Sequence, residues 1–105
     1  MPDDPQGPVT IVATFHIQDE HAEEVLAAIA ACIRASRQEA ANLSYTCRRD
    51  IHDPLHLVFV EQWKSLAAIE DHERQPHFLA MKAMFDQGKA GPLSVTLLQD
   101  VPALA

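Results

Sequence analysis

The side chains best suited to proton transfer lie in the second half of the chain. His72 is the first candidate, because an unperturbed imidazole titrates close to neutral pH. Its structural alternative, on the apolar side of a helix, is a hydrogen bond to a backbone carbonyl with no chemical role. Glu61, at the end of an apolar strand pattern, could be catalytic, but the favoured interpretation there is an ion pair with a nearby lysine or arginine. The sequence therefore offers one principal acid–base residue, His72.

The six histidines do not show a spacing typical of a metal site. His52 and His56 flank a turn, whereas His72 and His77 are five positions apart with Pro76 between them, so neither pair lies at i, i+4 on a helix. No acidic motif accompanies them. The chain has only three glycines and lacks a G-x-G-x-x-G phosphate loop. We therefore predict no metal and no flavin or nicotinamide cofactor.

Composition limits the partners of the chain. Its 105 residues, 48% hydrophobic and 22% charged, fit one ordinary globular domain. A net charge of −7 argues against nucleic acid and anionic membranes as partners. No apolar run is long enough to span a membrane and the N-terminus lacks a basic region, so we expect a cytoplasmic protein. Cys32 and Cys47, fifteen positions apart without a C-x-x-C motif, predict two buried reduced thiols.

Hydrophobic periodicity predicts the elements that position these side chains. Alternation of apolar and polar residues predicts four strands, at residues 9–16, 43–51, 55–63 and 93–101. A period near 3.6 predicts a helix from an Asp19 cap to about Ala40, a second helix capped by Ser65, and a third over residues 76–87 that starts at a proline. Residues 9–101 are predicted to form one domain, with a loose N-terminal tail at residues 1–8 and a C-terminal tail at residues 102–105.

The predicted order, β-α-β-β-α-β, is that of an α+β, ferredoxin-like sandwich with an antiparallel four-stranded sheet. Right-handed crossovers place the first and third strands in the centre of the sheet and the helices on one of its faces. The other face remains apolar, through Val12, Val58 or Phe59, Val60 and Leu98. A sheet that is apolar on both sides needs two covers, so we predict a homodimer through this open face. The alternative is a monomer with scattered exposed valines.

The stretch EQWKSLAAIEDH, residues 61–72, followed by Pro76-His77-Phe78, resembles the antibiotic biosynthesis monooxygenase superfamily of dimeric α+β barrels. Members of this superfamily show a strand ending in Glu-x-Trp, a Ser or Asp helix cap and a His near the end of a short helix. The likeness covers residues 9–101 in element order. It implies two ferredoxin-like protomers that close a shared barrel, each with a pocket between its sheet and its helices.

The superfamily resemblance also implies several kinds of chemistry, including cofactor-free oxygenation of quinols and polyketide anthrones, haem degradation and isomerisation. Cofactor-free oxygenation needs a dry pocket for a flat aromatic molecule, a proton acceptor and donors for an oxyanion. His72 would be the base or oxyanion partner. The candidates for the wall of the pocket are Trp63, Phe59, Phe78, Phe85, Met81 and Met84, and the candidate hydrogen-bond donors are Asn42 and Tyr45. The alternative is a core role for Trp63, Phe78, Met81 and Phe85 and a helix C-cap for Asn42.

Haem-cleaving relatives carry an Asn on the first strand and a His one turn into the last helix. The corresponding stretches here read ATFH, residues 13–16, and LAMK, residues 79–82, so we expect no haem. The leading hypothesis is a small, dimeric, cofactor-independent monooxygenase. Two alternatives stay open: an isomerase of a small oxygenated metabolite, and a non-catalytic dimeric module that binds a small ligand. The last predicts a buried His72 satisfied by protein groups, with no cavity beside it.

Overall fold

One sheet and one layer of helices form the fold in the computed structural model, which describes residues 7–104. The strands are β1 (Val9–His16), β2 (Asn42–Asp50), β3 (Asp53–Trp63) and β4 (Ser94–Leu98). The helices are α1 (Ala22–Ser36), α2 (Leu66–His72) and α3 (Pro76–Gly88), with short 3-10 turns at Asp19–His21 and Pro102–Leu104. The predicted α+β, ferredoxin-like class is confirmed.

The sheet order is β2-β3-β1-β4 with antiparallel neighbours, as the crossover rule predicts. In the central pair, Ile11 lies opposite Glu61 and Ala13 opposite Phe59. The odd-numbered side chains of these strands face the helices, because successive side chains of a strand point to opposite faces. The sheet residues of the buried core are Val9, Ile11, Ala13, Phe15, Tyr45, Leu57, Phe59 and Trp63.

The even-numbered side chains of the same strands are half-buried or exposed, which leaves this face of the sheet open. Val12 pairs with Val60 across β1 and β3, and Thr14 pairs with Val58. Of the two sequence alternatives for the open face, the structure selects Val58, since Phe59 faces the helices. Leu98 at the β4 edge is 44% exposed. The centre of the open face is therefore apolar.

The predicted boundaries of α1 need correction. A 3-10 turn occupies Asp19–His21, so Asp19 does not cap α1, and the helix ends at Ser36 instead of Ala40. Arg37 is the C-cap of α1, and its side chain donates two hydrogen bonds to the Tyr45 carbonyl oxygen, at 2.8 and 3.2 Å. Successive turns then bring Asn42 into β2, where it begins a strand rather than capping a helix.

The predicted tail at residues 1–8 lies outside the described residues apart from Gly7 and Pro8. Cys32 and Cys47 are both free thiols, the first buried and the second half-buried. Each helix found between residues 7 and 104 lacks the length or the apolar character to cross a membrane. The cytoplasmic location stays a prediction.

Candidate active site

A cavity of about 660 Å³ lies between the helix-facing side of the sheet and the helices α2 and α3. Its walls are apolar, with Phe59 and Tyr45 on the sheet side and Phe78 and Phe85 on the helix side. Charged side chains accompany them, namely Glu70, Glu73, Lys82, Asp86 and Lys89. The volume lies within the range of roughly 300–1,000 Å³ that small-molecule sites occupy.

His72 is the last residue of α2 and reaches the cavity because of two local signals. The Ser65 hydroxyl accepts a hydrogen bond from the Ala68 amide at 3.1 Å, which fixes the start of the helix as predicted. Pro76 then begins α3, so the chain turns immediately after His72. The imidazole is 2% exposed and packs 4.4 Å from the Trp63 ring centroid and 5.1 Å from that of Phe78.

The Glu39 carboxylate contacts the imidazole rings of both His72 and His77. His72 Nδ1 lies 2.7 Å from Glu39 Oε2, and His77 Nε2 lies 2.8 Å from the same oxygen. An ionised carboxylate only accepts hydrogen bonds, so each of these two ring nitrogens donates an N–H hydrogen bond to it. The neutral His72 tautomer is then the Nδ1–H form, with a lone pair on Nε2.

The Nε2 atom of His72 is buried and has no hydrogen-bond partner among the described residues. His72 lines the cavity whereas Glu39 and His77 do not, so the imidazole lies between the cavity and the Glu39 carboxylate. Burial lowers the pKa of His72 below its usual 6.5, although the Glu39 carboxylate opposes this effect. The imidazole is therefore neutral near pH 7 and able to accept a proton.

Glu61 is a second buried acid–base group, and the predicted ion pair is wrong. No lysine or arginine among residues 7–104 lies within ion-pair distance of it, and its side chain is 6% exposed. The Trp63 indole N–H donates to Glu61 Oε1 at 3.0 Å. Burial raises the pKa of Glu61 to about 7, against the Trp63 hydrogen bond, which lowers it.

Six of the predicted site residues line the cavity together: His72, Tyr45, Phe59, Phe78, Met81 and Phe85. Trp63, Asn42 and Met84 do not line it. Trp63 is completely buried behind Tyr45 and His72, with ring centroids 6.4 and 4.4 Å away. The Asn42 amide donates to the backbone carbonyls of Ser44 and Gln62 at 3.1 and 3.4 Å, which joins β2 to β3.

Sequence reasoning misses Glu39 as a functional candidate, and it ranks a catalytic role for Glu61 below an ion pair. Glu61 carries a signal, because it lies in phase with Phe59 and Trp63 on the buried side of β3. Glu39 carries none, since its partners are 33 and 38 positions away. The three ligand atoms of Glu39, His72 and His77 lie within 4.8 Å of one another and are the group that could hold a metal ion. Their short contacts are those of hydrogen bonds.

Comparisons with known proteins agree with one another. The family model described as "Antibiotic biosynthesis monooxygenase" matches residues 8–84. The chain is 29% identical over 92 residues to the protein named "Putative monooxygenase Rv0793" of Mycobacterium tuberculosis, covering 88% of this chain and 90% of that one. The solved structure of Rv0793 gives a TM-score of 0.83 at 26% identity and covers 90% of this chain and 95% of that one.

Two further solved structures have the same fold. The crystal structure titled "antibiotic biosynthesis monooxygenase" is 29% identical, with a TM-score of 0.85 over 90% of this chain and 99% of that one. The PA3566 protein of Pseudomonas aeruginosa is also 29% identical, with a TM-score of 0.83 over 91% of this chain and 96% of that one. Each of these three structures matches 90% or 91% of this chain.

Proposed function

The chain belongs to the antibiotic biosynthesis monooxygenase family, and from this premise we propose that it is a cofactor-independent monooxygenase. Its substrate is a small, flat, electron-rich aromatic molecule of the quinol or anthrone type, and its oxidant is dioxygen. Two features of the cavity support this substrate class. The walls are aromatic and apolar, and the volume of about 660 Å³ accommodates a molecule of a few fused rings.

The observation that carries the proposal is the buried, unpartnered Nε2 of His72. A buried nitrogen without a partner is costly in a folded protein and calls for an explanation. In the proposed reaction, Nε2 of His72 gains its partner when it accepts a proton from the substrate. The non-catalytic module predicted a satisfied His72 with no cavity beside it, and both features differ here. Glu39 acts as a positioning residue, because it fixes the tautomer and stabilises the imidazolium that forms.

For an anthrone, the overall reaction converts an aryl methylene and dioxygen into an aryl ketone and water. His72 Nε2 takes one C–H proton and leaves a carbanion delocalised into the aromatic rings. The carbanion transfers an electron to dioxygen, and the resulting radicals combine into a carbon–oxygen bond, which gives a peroxide anion. The imidazolium returns its proton to this anion. The carbon loses four electrons in total, and dioxygen gains them as the ketone oxygen and water.

A homodimer through the open sheet face is part of this proposal. Val12, Val58 and Val60 form the apolar centre of that face. On the helix-facing side, Val95 and Leu97 of β4 lie opposite Ala13 and Ile11, line the cavity and are 53% and 50% exposed in one protomer. Covering the open face with a second copy removes apolar surface from water and holds β4 beside the cavity.

Oxygen uptake with a panel of anthrones and substituted hydroquinones tests the function. We expect consumption of dioxygen, with one labelled oxygen atom from labelled dioxygen in the ketone. H72A should lower kcat/KM about 100-fold or more, since a general base contributes at least this much. Activity should fall on acidification as His72 becomes protonated, with a midpoint below pH 6.5.

The matched control is H52A, which removes an exposed histidine in the β2–β3 turn. Circular dichroism and thermal melting establish that both variants fold. Turnover of a substrate without consumption of dioxygen favours the isomerase. The absence of oxygen uptake with every member of the panel contradicts the monooxygenase.

A further inference from the structure

Glu61 is a buried carboxyl group on the cavity wall that the proton-abstraction step does not use. It projects from β3 on the sheet side, while His72 reaches the same cavity from α2. Its Oε1 accepts the hydrogen bond from Trp63, and its Oε2 makes no hydrogen bond to any described residue. Burial of an ionised carboxylate without a cation costs free energy, so this environment favours the protonated form of Glu61.

We infer that Glu61 is a second catalytic residue, the general acid that protonates the oxygen leaving as water when the peroxide intermediate collapses to the ketone. The inference rests on the proposed function and assigns the second half of the reaction. The first half produces a hydroperoxide, whose O–O bond must break with an electron pair on the departing oxygen. Hydroxide is a poor leaving group in an apolar cavity, and a proton delivered to it in the transition state lowers the barrier.

In the second half of the reaction, the hydroperoxide is converted into the ketone and water. His72 Nε2 removes the remaining C–H proton, and that electron pair forms the second carbon–oxygen bond. The O–O bond breaks, and its electron pair goes to the distal oxygen together with the proton of Glu61, which gives water. The imidazolium of His72 then returns one proton to the Glu61 carboxylate through solvent. Both residues regain their starting states, so the cycle consumes only substrate and dioxygen.

The titratable groups around Glu61 favour its protonated form. Tyr45 and Cys47 of β2 and Cys32 of α1 are close enough to interact with it electrostatically, and all three hold their protons at neutral pH because burial raises each pKa. Two further acidic neighbours, the Glu39 and Glu73 carboxylates, raise the pKa of Glu61. The two cavity lysines, Lys82 and Lys89, each pair with Asp86 instead.

Trp63 acts as a positioning residue through Glu61. Its indole N–H fixes one carboxyl oxygen and favours the ionised form, so it keeps the pKa of Glu61 from rising further. W63F removes this donor and retains an aromatic ring in the core. The substitution should therefore move the alkaline limb of the pH–rate profile to higher pH, an effect that a purely structural role for the indole would not produce.

Comparison of oxygen uptake with ketone formation tests the inference. In E61Q, which keeps the shape and removes the acid, oxygen uptake should continue while ketone formation falls about 100-fold and peroxide accumulates. E23Q is the matched control, because Glu23 is exposed on α1 and does not line the cavity. Infrared difference spectra of wild type against E61Q give a readout without substrate: the carbonyl band of a protonated carboxyl group at pH 6, lost on raising the pH above about 7.

The outcomes separate the two proposals. Ketone formation by E61Q at the wild-type rate and yield overturns the role of Glu61 and leaves the monooxygenase intact. A carboxyl band that disappears near pH 4.5, the ordinary value for glutamate, overturns it as well, since no proton is then available at neutral pH. Wild-type protein that consumes no oxygen with any substrate overturns both the function and this inference.

Discussion

Replacing Glu61 with glutamine should change how the free energy of unfolding depends on pH. The pKa of Glu61 rises from 4.5 in the unfolded chain to about 7 in the folded protein. Because the folded value is the higher one, its contribution to stability is present below pH 4.5 and is lost as the pH rises through 7. At about 1.4 kcal/mol per pH unit, the full loss in wild type is about 3 kcal/mol. Glutamine does not ionise and loses none of it.

Urea unfolding between pH 5.5 and pH 8.5 measures the effect. Trp63 is the single tryptophan and completely buried, so its fluorescence reports on the core. Over this range we expect the free energy of unfolding of E61Q to rise relative to wild type by about 2 kcal/mol, the part of the total that falls between these pH values. Both proteins keep His72, whose contribution cancels in the difference. The protein concentration is held constant, because association also stabilises the folded state.

E23Q serves as the control, since Glu23 is exposed and forms no ion pair within residues 7–104, so its curve should be parallel to that of wild type. If the E61Q and wild-type curves are also parallel, Glu61 is ionised in the folded protein over the whole range. The reasoning from burial would then be refuted, and the proposed general acid would lose its proton.

The remaining predictions concern packing and assembly. G88A should lower the melting temperature by an amount corresponding to about 1–3 kcal/mol. The added Cβ would collide with the Val25 side chain and come within 3.1 Å of His21 Cβ. Helix propensity alone predicts a higher melting temperature for alanine, and that result would contradict the close α1–α3 contact. V60K places a charge at the centre of the open face, so in sedimentation experiments it should convert the dimer into an 11.6 kDa monomer. Q38K, on the exposed turn after α1, is the control and should leave the dimer intact. A wild-type protein that is already monomeric at micromolar concentration contradicts the homodimer.

The fold could be predicted from local patterns because each of its main elements carries its own signal. Alternation in β1 and β3 identifies the helix-facing side of the sheet, and Ser65 and Pro76 mark the starts of α2 and α3. The end of α1 differs from the prediction because a non-local interaction forms there. The Arg37 side chain, at the end of the helix, donates to the Tyr45 carbonyl oxygen on β2, and helix propensity takes no account of such a contact.

The candidate site divides in the same way. His72 and the aromatic walls could be predicted, since they follow helix and strand periodicity. Glu61 was assigned an ion pair because glutamate at a strand end is usually solvated, yet its parity places it on the buried side. Glu39 could not be predicted at all. It lies in the turns after α1 and meets His72 and His77 only when α2 and α3 pack against that end of the sheet.

One physical cause, burial, prepares both proposed catalytic groups for neutral pH. Removal from water disfavours charge, so it lowers the pKa of His72 and raises that of Glu61. Near pH 7 the base is unprotonated and the acid still holds its proton in a large fraction of molecules. Proton abstraction then creates one imidazolium and one substrate anion in the cavity. An ionised Glu61 would repel that anion, so the loss of activity at high pH should arise in the first half of the reaction as well as the second.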